Sequence, residues 1–266
     1  MRNKLMLLII LLASLSCKKN DTTISDPKLL NCSINYLKFQ DDYRFLGKTI
    51  FFNPFDSLQV SYTYKGDKIV ECIGGFQPVP SGNNFFRLLF SSEVRDSIAY
   101  KGDSVCVYTK PGYTYFESEN PQSPTIYVYS QNRLQKLIRR DGFEVNYTYT
   151  GNQIVEKNSN GIVLRTLYFE NNNLVKIVKE NINTENTVVY KKEIFFNEFD
   201  NNPNPLKNKY YLLGAFYRAF SENNYKSTIE NEYYLIDDTL RLTGTYTYSM
   251  QIRYNSDGYP MFGDYK

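Results

Sequence analysis

The 266-residue sequence contains no histidine and no tryptophan, and only four cysteines. Without an imidazole there is no Ser-His-Asp or Cys-His catalysis and no histidine-ligated zinc. Nor is there a side chain whose ordinary pKa suits proton shuttling at neutral pH. The cysteines, Cys17, Cys32, Cys72 and Cys106, form no Cys-x-x-Cys motif. Cys72 ("KIVECIGG") and Cys106 ("DSVCVYTK") lie in strand-like runs, where a small buried hydrophobe is the expected role. "EFDNNPN" and "YNSDG" lack the spaced oxygen ligands and closing Glu of a calcium loop, so neither metal nor cofactor is expected.

A strong charge of either sign is also missing. Removal of residues 1–16 would take Lys plus Arg from 31 to 29, against 28 acidic residues. No basic run exceeds Arg139-Arg140. A nucleic-acid partner, which needs concentrated positive charge, is excluded on this ground.

Long apolar runs are absent but for one. After Met1-Arg2-Asn3-Lys4 the chain is apolar from Leu5 to Ala13 and ends in "SLSC". Nine residues fall short of the roughly 20 that cross a bilayer, but match a secretory h-region. "ASLSC" resembles the lipobox of bacterial lipoproteins, with Ser14 where that family usually has Leu. The resemblance implies a signal peptide over 1–16 and lipidation of Cys17. With no Asp after the cysteine, it also implies an outer-membrane anchor in either leaflet. Two or three acyl chains hold a protein firmly where one does not. "KKNDTTISDPK" that follows is polar, contains Pro27 and lacks apolar periodicity, so residues 17–32 read as lipidated Cys and flexible tether. Residues 33–266 are then expected to form a single all-β domain.

What the sequence has in quantity is tyrosine, 25 residues, with 18 phenylalanines. Tyr-Thr-Tyr occurs four times, at Tyr62/Tyr64, Tyr113/Tyr115, Tyr147/Tyr149 and Tyr246/Tyr248. Side chains alternate across a strand, so each tyrosine pair shares a face and Thr takes the other. Turn signals recur in "KGDKI", "KGDSV", "SQNRL", "TGNQI" and "ENNNL", each followed by a branched apolar residue that opens a returning strand. From Tyr129 through Tyr149 to Phe169 the spacing is a steady 20 residues, two strands and two turns.

The expected fold is therefore an antiparallel β-hairpin meander forming a strongly curved sheet or barrel-like domain, with edges that must be paired or covered. Two interruptions are expected. The prolines and glycines of Gly74 to Asp96 should break the ladder into a long loop. "PQSP" at Pro121 to Pro124 should break it again. One helical stripe, Leu206, Tyr210, Leu213, Tyr217 and Phe220, predicts a short helix near 206–221 capping one side or mouth of the sheet; a loop also fits this spacing. Membrane-spanning strands are not expected, because "RLQKLIRRDGFEVNY" puts charge on both faces.

The aromatic-x-aromatic, Gly/Asn, Leu/Ile pattern is similar to the YD repeat of RHS-type shell proteins, although Lys65, Ser130 and Thr150 stand where that repeat has Asp. "FFNEFDNNPNPLKN", "SENN" and "RYNSDGYP" look like uncharacterised bacterial lipoproteins described as having a soluble porin-like fold. That resemblance spans most of 33–266 and implies a curved antiparallel sheet with no assigned activity.

Tyrosine rows suit a sheet face that is only partly covered, since the hydroxyl still needs a partner. Tyr62, Tyr64, Tyr113, Tyr115, Tyr147, Tyr149, Tyr246 and Tyr248 are candidate ligand-stacking residues; packing within the wall is the alternative. The carboxylates Asp41-Asp42, Glu117, Glu119, Glu230, Glu232 and Asp237-Asp238 mark no catalytic pair, and no catalytic residue is assigned. The expected function is a lipid-anchored, non-catalytic envelope module binding a glycan or a protein. A purely structural envelope protein and a carboxylate-dependent glycan hydrolase are the alternatives.

Overall fold

The computed structural model describes residues 29, 32–33, 49–51, 59–80, 86–112, 123–213, 215, 217–249, 252–254, 256 and 260–261. Cys17, the segment 1–16, Tyr113 and Tyr115 lie outside them.

The chain is an all-β antiparallel meander. Its strands are β1 (Cys32–Ser33), β2 (Thr49–Phe51), β3 (Gln59–Lys65), β4 (Lys68–Pro80), β5 (Phe86–Lys101), β6 (Ser104–Lys110), β7 (Thr125–Ser130), β8 (Arg133–Ile138), β9 (Glu144–Thr150), β10 (Gln153–Asn158), β11 (Val163–Glu170), β12 (Asn173–Ile182), β13 (Val188–Asn197), β14 (Ser227–Ile236) and β15 (Thr239–Ser249). These form one sheet; β3 to β15 pair in sequence order, β1 adds to β3, and β2 joins β5 in parallel. β16 (Arg253–Tyr254) and β17 (Pro260–Met261) make a separate two-stranded ribbon. The path is open, because no described strand joins β15 back to β1.

The predicted turns lie where the strands reverse. Gly66, Gly102 and Gly151 take positive φ (63°, 55° and 57°), and so do the pairs Gln131-Asn132 and Asn171-Asn172, as tight hairpins of right-handed twist require. The repeat has a constant meaning in the register. The aromatic nearest each turn faces the branched residue that opens the next strand: Tyr64 opposite Ile69, Tyr100 opposite Val105, Tyr129 opposite Leu134, Tyr149 opposite Ile154, Phe169 opposite Leu174. All five branched residues are buried, so one face of the meander carries the core.

Two expectations are corrected. Gly74 to Asp96 is not a long loop: β4 and β5 continue as long strands that pair from Glu71–Ser97 to Pro80–Phe86. Gly74, at φ +100°, supplies a bulge, and a Cβ there would sit 2.6 Å from the Gln59 carbonyl oxygen. Among the described residues β3 pairs with β4 as far as Ile73. Pro78 and Pro80 stand opposite Leu88 and Phe86 of β5, in the part of β4 that no described residue of β3 pairs.

The segment 203–226 does cap the sheet, but not as the predicted helix. Its described residues form a series of turns with one 3-10 turn, Arg218–Phe220. Bonds such as Lys209 N to Leu206 O and Leu212 N to Lys209 O span three residues and are not propagated. The apolar stripe was real, but residues on every side of this segment are buried: Leu212, Ala215 and Ala219 are as enclosed as Leu206 and Leu213. From Tyr210 to Ser221 every described residue is buried, so this stretch has no solvent face to reward helical periodicity.

This plug sets the shape of the sheet. Tyr211 bonds Tyr100 of β5 at 2.9 Å, and Tyr217 packs edge-on against Phe196 of β13 at 5.5 Å. Those strands are eight spacings apart, roughly 38 Å on a flat sheet. One short segment thus meets strands from β5 to β13; the sheet curves around the plug, and its core face is concave.

Candidate functional site

The concave face is closed over most of its width. Tyr210, Tyr211, Tyr217 and Phe220 of the plug meet rings of β5, β7, β9, β11 and β13. Polar bonds fasten it at several points. Asn204 Nδ2 donates to the Arg218 and Ser221 carbonyls at 2.6 and 2.9 Å. Leu174 N donates to Ser221 Oγ at 3.1 Å.

Deepest is a buried ion pair. Arg165 Nε lies 3.3 Å from Glu156 Oε2, with side chains 4% and 0% exposed. Glu156 faces Tyr147 across the ladder. Arg165 Nη1 also donates to the Tyr217 hydroxyl at 2.7 Å, joining sheet and plug. Such a pair contributes little net stability but is costly to break on one side.

This closure decides the fate of the candidate tyrosines. Tyr147 is buried against Phe220 and offers no face to a ligand. Tyr149 is partly buried and donates its hydroxyl to the Leu134 carbonyl at 2.8 Å. Tyr62 and Tyr64 are half-buried against the same core, and the Tyr64 hydroxyl accepts from Leu29 N at 2.8 Å. Burial pushes the Tyr129, Tyr149, Tyr210 and Tyr211 hydroxyls well above the usual phenol range. These rings line the core.

The plug ends before the last strands. Tyr246 and Tyr248 are each 47% exposed, and Tyr234 is open to the same extent. Register places them together. Across β13, β14 and β15 the concave face reads Tyr190 opposite Tyr234, then Lys192, Glu232 and Gly244 in one row, and Ile194, Glu230 and Tyr246 in the next. Tyr248 is opposite Thr228 one step nearer the core.

The polar groups here are engaged with one another. Lys192 Nζ is 3.1 Å from Glu230 Oε2. The Tyr190 hydroxyl donates to Glu232 Oε1 at 3.3 Å, and its ring lies 5.0 Å from that of Tyr234. Desolvation, then the Glu230 charge, raises the Tyr248 hydroxyl above its ordinary range, so it stays a neutral donor.

Gly244 has a specific role. A Cβ there would stand 3.1 Å from both Cε2 and the hydroxyl oxygen of Tyr246. The ring thus folds down along its own strand over the glycine, and packing of this kind compensates a strand glycine. Tyr190, Lys192, Tyr234 and Gly244 were not legible as site residues. The available signal was Asp237-Asp238, with φ of 48° and 60°, the hairpin turn that brings Tyr246 beside Glu230.

The other carboxylates separate. Asp237 and Asp238 are turn residues, and Asp41, Asp42, Glu117 and Glu119 fall outside the described residues. Among the described residues no group of three His, Cys, Asp or Glu side chains could hold a metal ion. Cys72 and Cys106 are buried thiols. A shallow cleft of about 250 Å³, lined by Lys68, Tyr100, Asp103, Tyr129, Gln131 and Asn132, opens at the hairpin-turn end. It is smaller than the roughly 300 to 1,000 Å³ of ordinary ligand pockets. No described helix is long and apolar enough to cross a membrane.

No family model matches the sequence, and no curated protein matches it either. Among solved structures the chain is similar to a porin-like protein from Bacteroides vulgatus ATCC 8482 at 10% identity, covering 78% of this chain and 86% of that one with a TM-score of 0.43. It is also similar to a porin-like protein from Bacteroides uniformis ATCC 8492 at 9% identity, covering 71% and 87% with a TM-score of 0.36.

Proposed function

We propose that this chain is a non-catalytic binding protein of the bacterial envelope, anchored through lipid on Cys17, that holds a glycan on the open end of its concave face. The observation that carries this reading is the ring of Tyr246, folded over Gly244 yet 47% exposed, with Tyr248, Tyr234 and Tyr190 around it. Exposed aromatic rings stack on the apolar faces of sugars. Beside them Glu232 and the Tyr248 hydroxyl offer an acceptor and a donor of the kind sugar hydroxyls need, next to the enclosed Lys192–Glu230 pair. The plug supports the same reading from the opposite side, since it satisfies the rings of β5 to β11 and stops where a ligand would begin.

The test is a glycan array with the full chain, followed by calorimetry on the hits. Tyr246→Ala and Tyr248→Ala should each weaken binding at least tenfold and leave the melting temperature within a few degrees of the parent. Equal binding by parent and double variant would refute the site. The anchor is tested by radioactive palmitate, which Cys17→Ser should fail to incorporate.

A further inference from the structure

The two edges of the sheet are treated differently. At the β1 end the described edge is short: β1 has two residues, and β4 extends beyond its described pairs with β3, carrying Pro78 and Pro80. Prolines and short strands are the usual protection against unwanted strand pairing. At the other end β15 has eleven residues, no proline, and Arg241 as its one charge. Its outer edge meets no described strand, and every residue but Gly244 is exposed. Leu240, Leu242, Tyr246 and Tyr248 are exposed on it.

The second half of β15 is also self-complementary. Thr245-Tyr246-Thr247-Tyr248-Ser249 reads nearly the same in both directions about Thr247. An antiparallel pairing of this stretch with itself, about a two-fold axis at Thr247, sets Tyr246 against Tyr248 of a second copy, twice. Both rings lie on the concave side, because Tyr246 faces Glu230 and Tyr248 faces Thr228 in the ladder. Cross-strand aromatic pairs are favourable, and Thr245 to Ser249 puts no charge at the axis to oppose its like. The bulge at Leu242–Gly244 shifts the alternation of the first half, so the matched register is confined to the second.

We infer that β15 is the contact of a two-fold dimer in which the sheets of two copies join edge to edge through Thr245–Ser249. Such an isologous contact closes after two copies, and the protected β1 edge prevents further growth. The dimer would bring four tyrosines into one concave row. It does not depend on what those tyrosines bind.

Directly opposed residues of an antiparallel pair have Cα atoms about 4.5 to 5.5 Å apart, within the range a disulfide bridges. In the full chain, Thr247→Cys should therefore give an oxidised dimer in high yield, while Thr239→Cys, roughly 50 Å from its mate across the axis, should not. Analytical ultracentrifugation of the parent should show twice the monomer mass. Thr247→Lys, which sets two ammonium groups against each other, should raise the dimer dissociation constant at least tenfold with an unchanged melting curve for the monomer. A parent that stays monomeric at about 100 µM, a mass that grows past two copies, or equal crosslinking from cysteines at 245, 247 and 249 would each overturn the inference. Glycan binding by a monomeric Thr247→Lys chain separates this outcome from that of the proposed function.

Discussion

The strands β7 to β12 and the strands β13 to β15 are written in the same terms, with aromatic residues on alternate positions and turns of Gly, Asn or Asp, yet their tyrosines have opposite surroundings. In the first region the plug from 203–226 lies over the face, and Tyr127 and Tyr147 are buried. In the second no described residue closes the face over Tyr234, Tyr246 and Tyr248 to the same degree, and all three keep nearly half their surface. The difference teaches that an aromatic repeat builds a sheet, and that a separate segment decides which part of it becomes core. Polar residues follow the same division. Glu156 and Arg165 are enclosed and locked to the plug, whereas the outer-face set of Lys176, Lys191, Glu193 and Tyr233 is only partly covered, its lysines 31% and 28% exposed.

The comparison is broken most severely at the ion pair. Glu156→Ala would leave the Arg165 guanidinium buried without its carboxylate, at a cost of about 3 to 5 kcal/mol. Glu193→Ala on the outer face, where its partners Lys176 and Lys191 are 31% and 28% exposed, should cost less, about 1 to 2 kcal/mol. Urea denaturation of both variants measures the contrast, and similar losses would show that burial is not what separates the regions.

Next in size is the plug itself. Leu212, fully buried, should lose about 2 to 5 kcal/mol as Leu212→Ala, because the cavity left beneath the sheet collapses only in part. Leu242, 54% exposed on β15, should change stability by under about 0.5 kcal/mol as Leu242→Ala. Tyr147→Ala belongs with Leu212→Ala, so any loss of binding in that variant reports unfolding rather than a lost ligand contact.

Alkaline pH sharpens the comparison further. Burial raises the hydroxyls of Tyr129, Tyr149, Tyr210 and Tyr211 above the value they have in the unfolded chain. The folded state therefore holds protons that the unfolded state releases above about pH 10. The stability they contribute is complete below that pH and is lost as pH rises above it. The melting temperature should fall steeply there, with a fraction of the tyrosinate absorbance appearing only together with unfolding. Ionisation of every tyrosine before any loss of structure would contradict the enclosure described.

The smallest effect is expected from Gly244→Ala. The added Cβ pushes against the Tyr246 ring, tilting it by a few tenths of an ångström and weakening ligand binding several-fold with little change in stability.

The hairpins were legible because they are local. Gly66, Gly102 and Gly151, or paired Asn, sit between alternating runs, and a turn needs no distant partner to form. The strands through Gly74 to Asp96 were not legible because proline and glycine read as breaks, whereas the ladder takes a bulge at Gly74 and carries Pro78 and Pro80 opposite Leu88 and Phe86. The plug was legible as an apolar segment but not as turns, since its stripe at helical spacing coexisted with burial on every other side. At the site, Tyr246 and Tyr248 could be picked out as an aromatic pair. Their neighbours Tyr190 and Lys192 lie more than fifty residues earlier and meet them only through the ladder of β13 to β15.

By itself the sequence determined the strand-and-turn alternation, the shared face of the tyrosine pairs 62/64, 147/149 and 246/248 and the absence of imidazole chemistry, because these depend on residue type and on spacing of a few positions. Tertiary structure alone decided which tyrosines are covered. The bonds that cover them join residues such as Tyr100 and Tyr211, 111 positions apart, and a repeat with one local meaning carries no record of where a distant plug will come to rest.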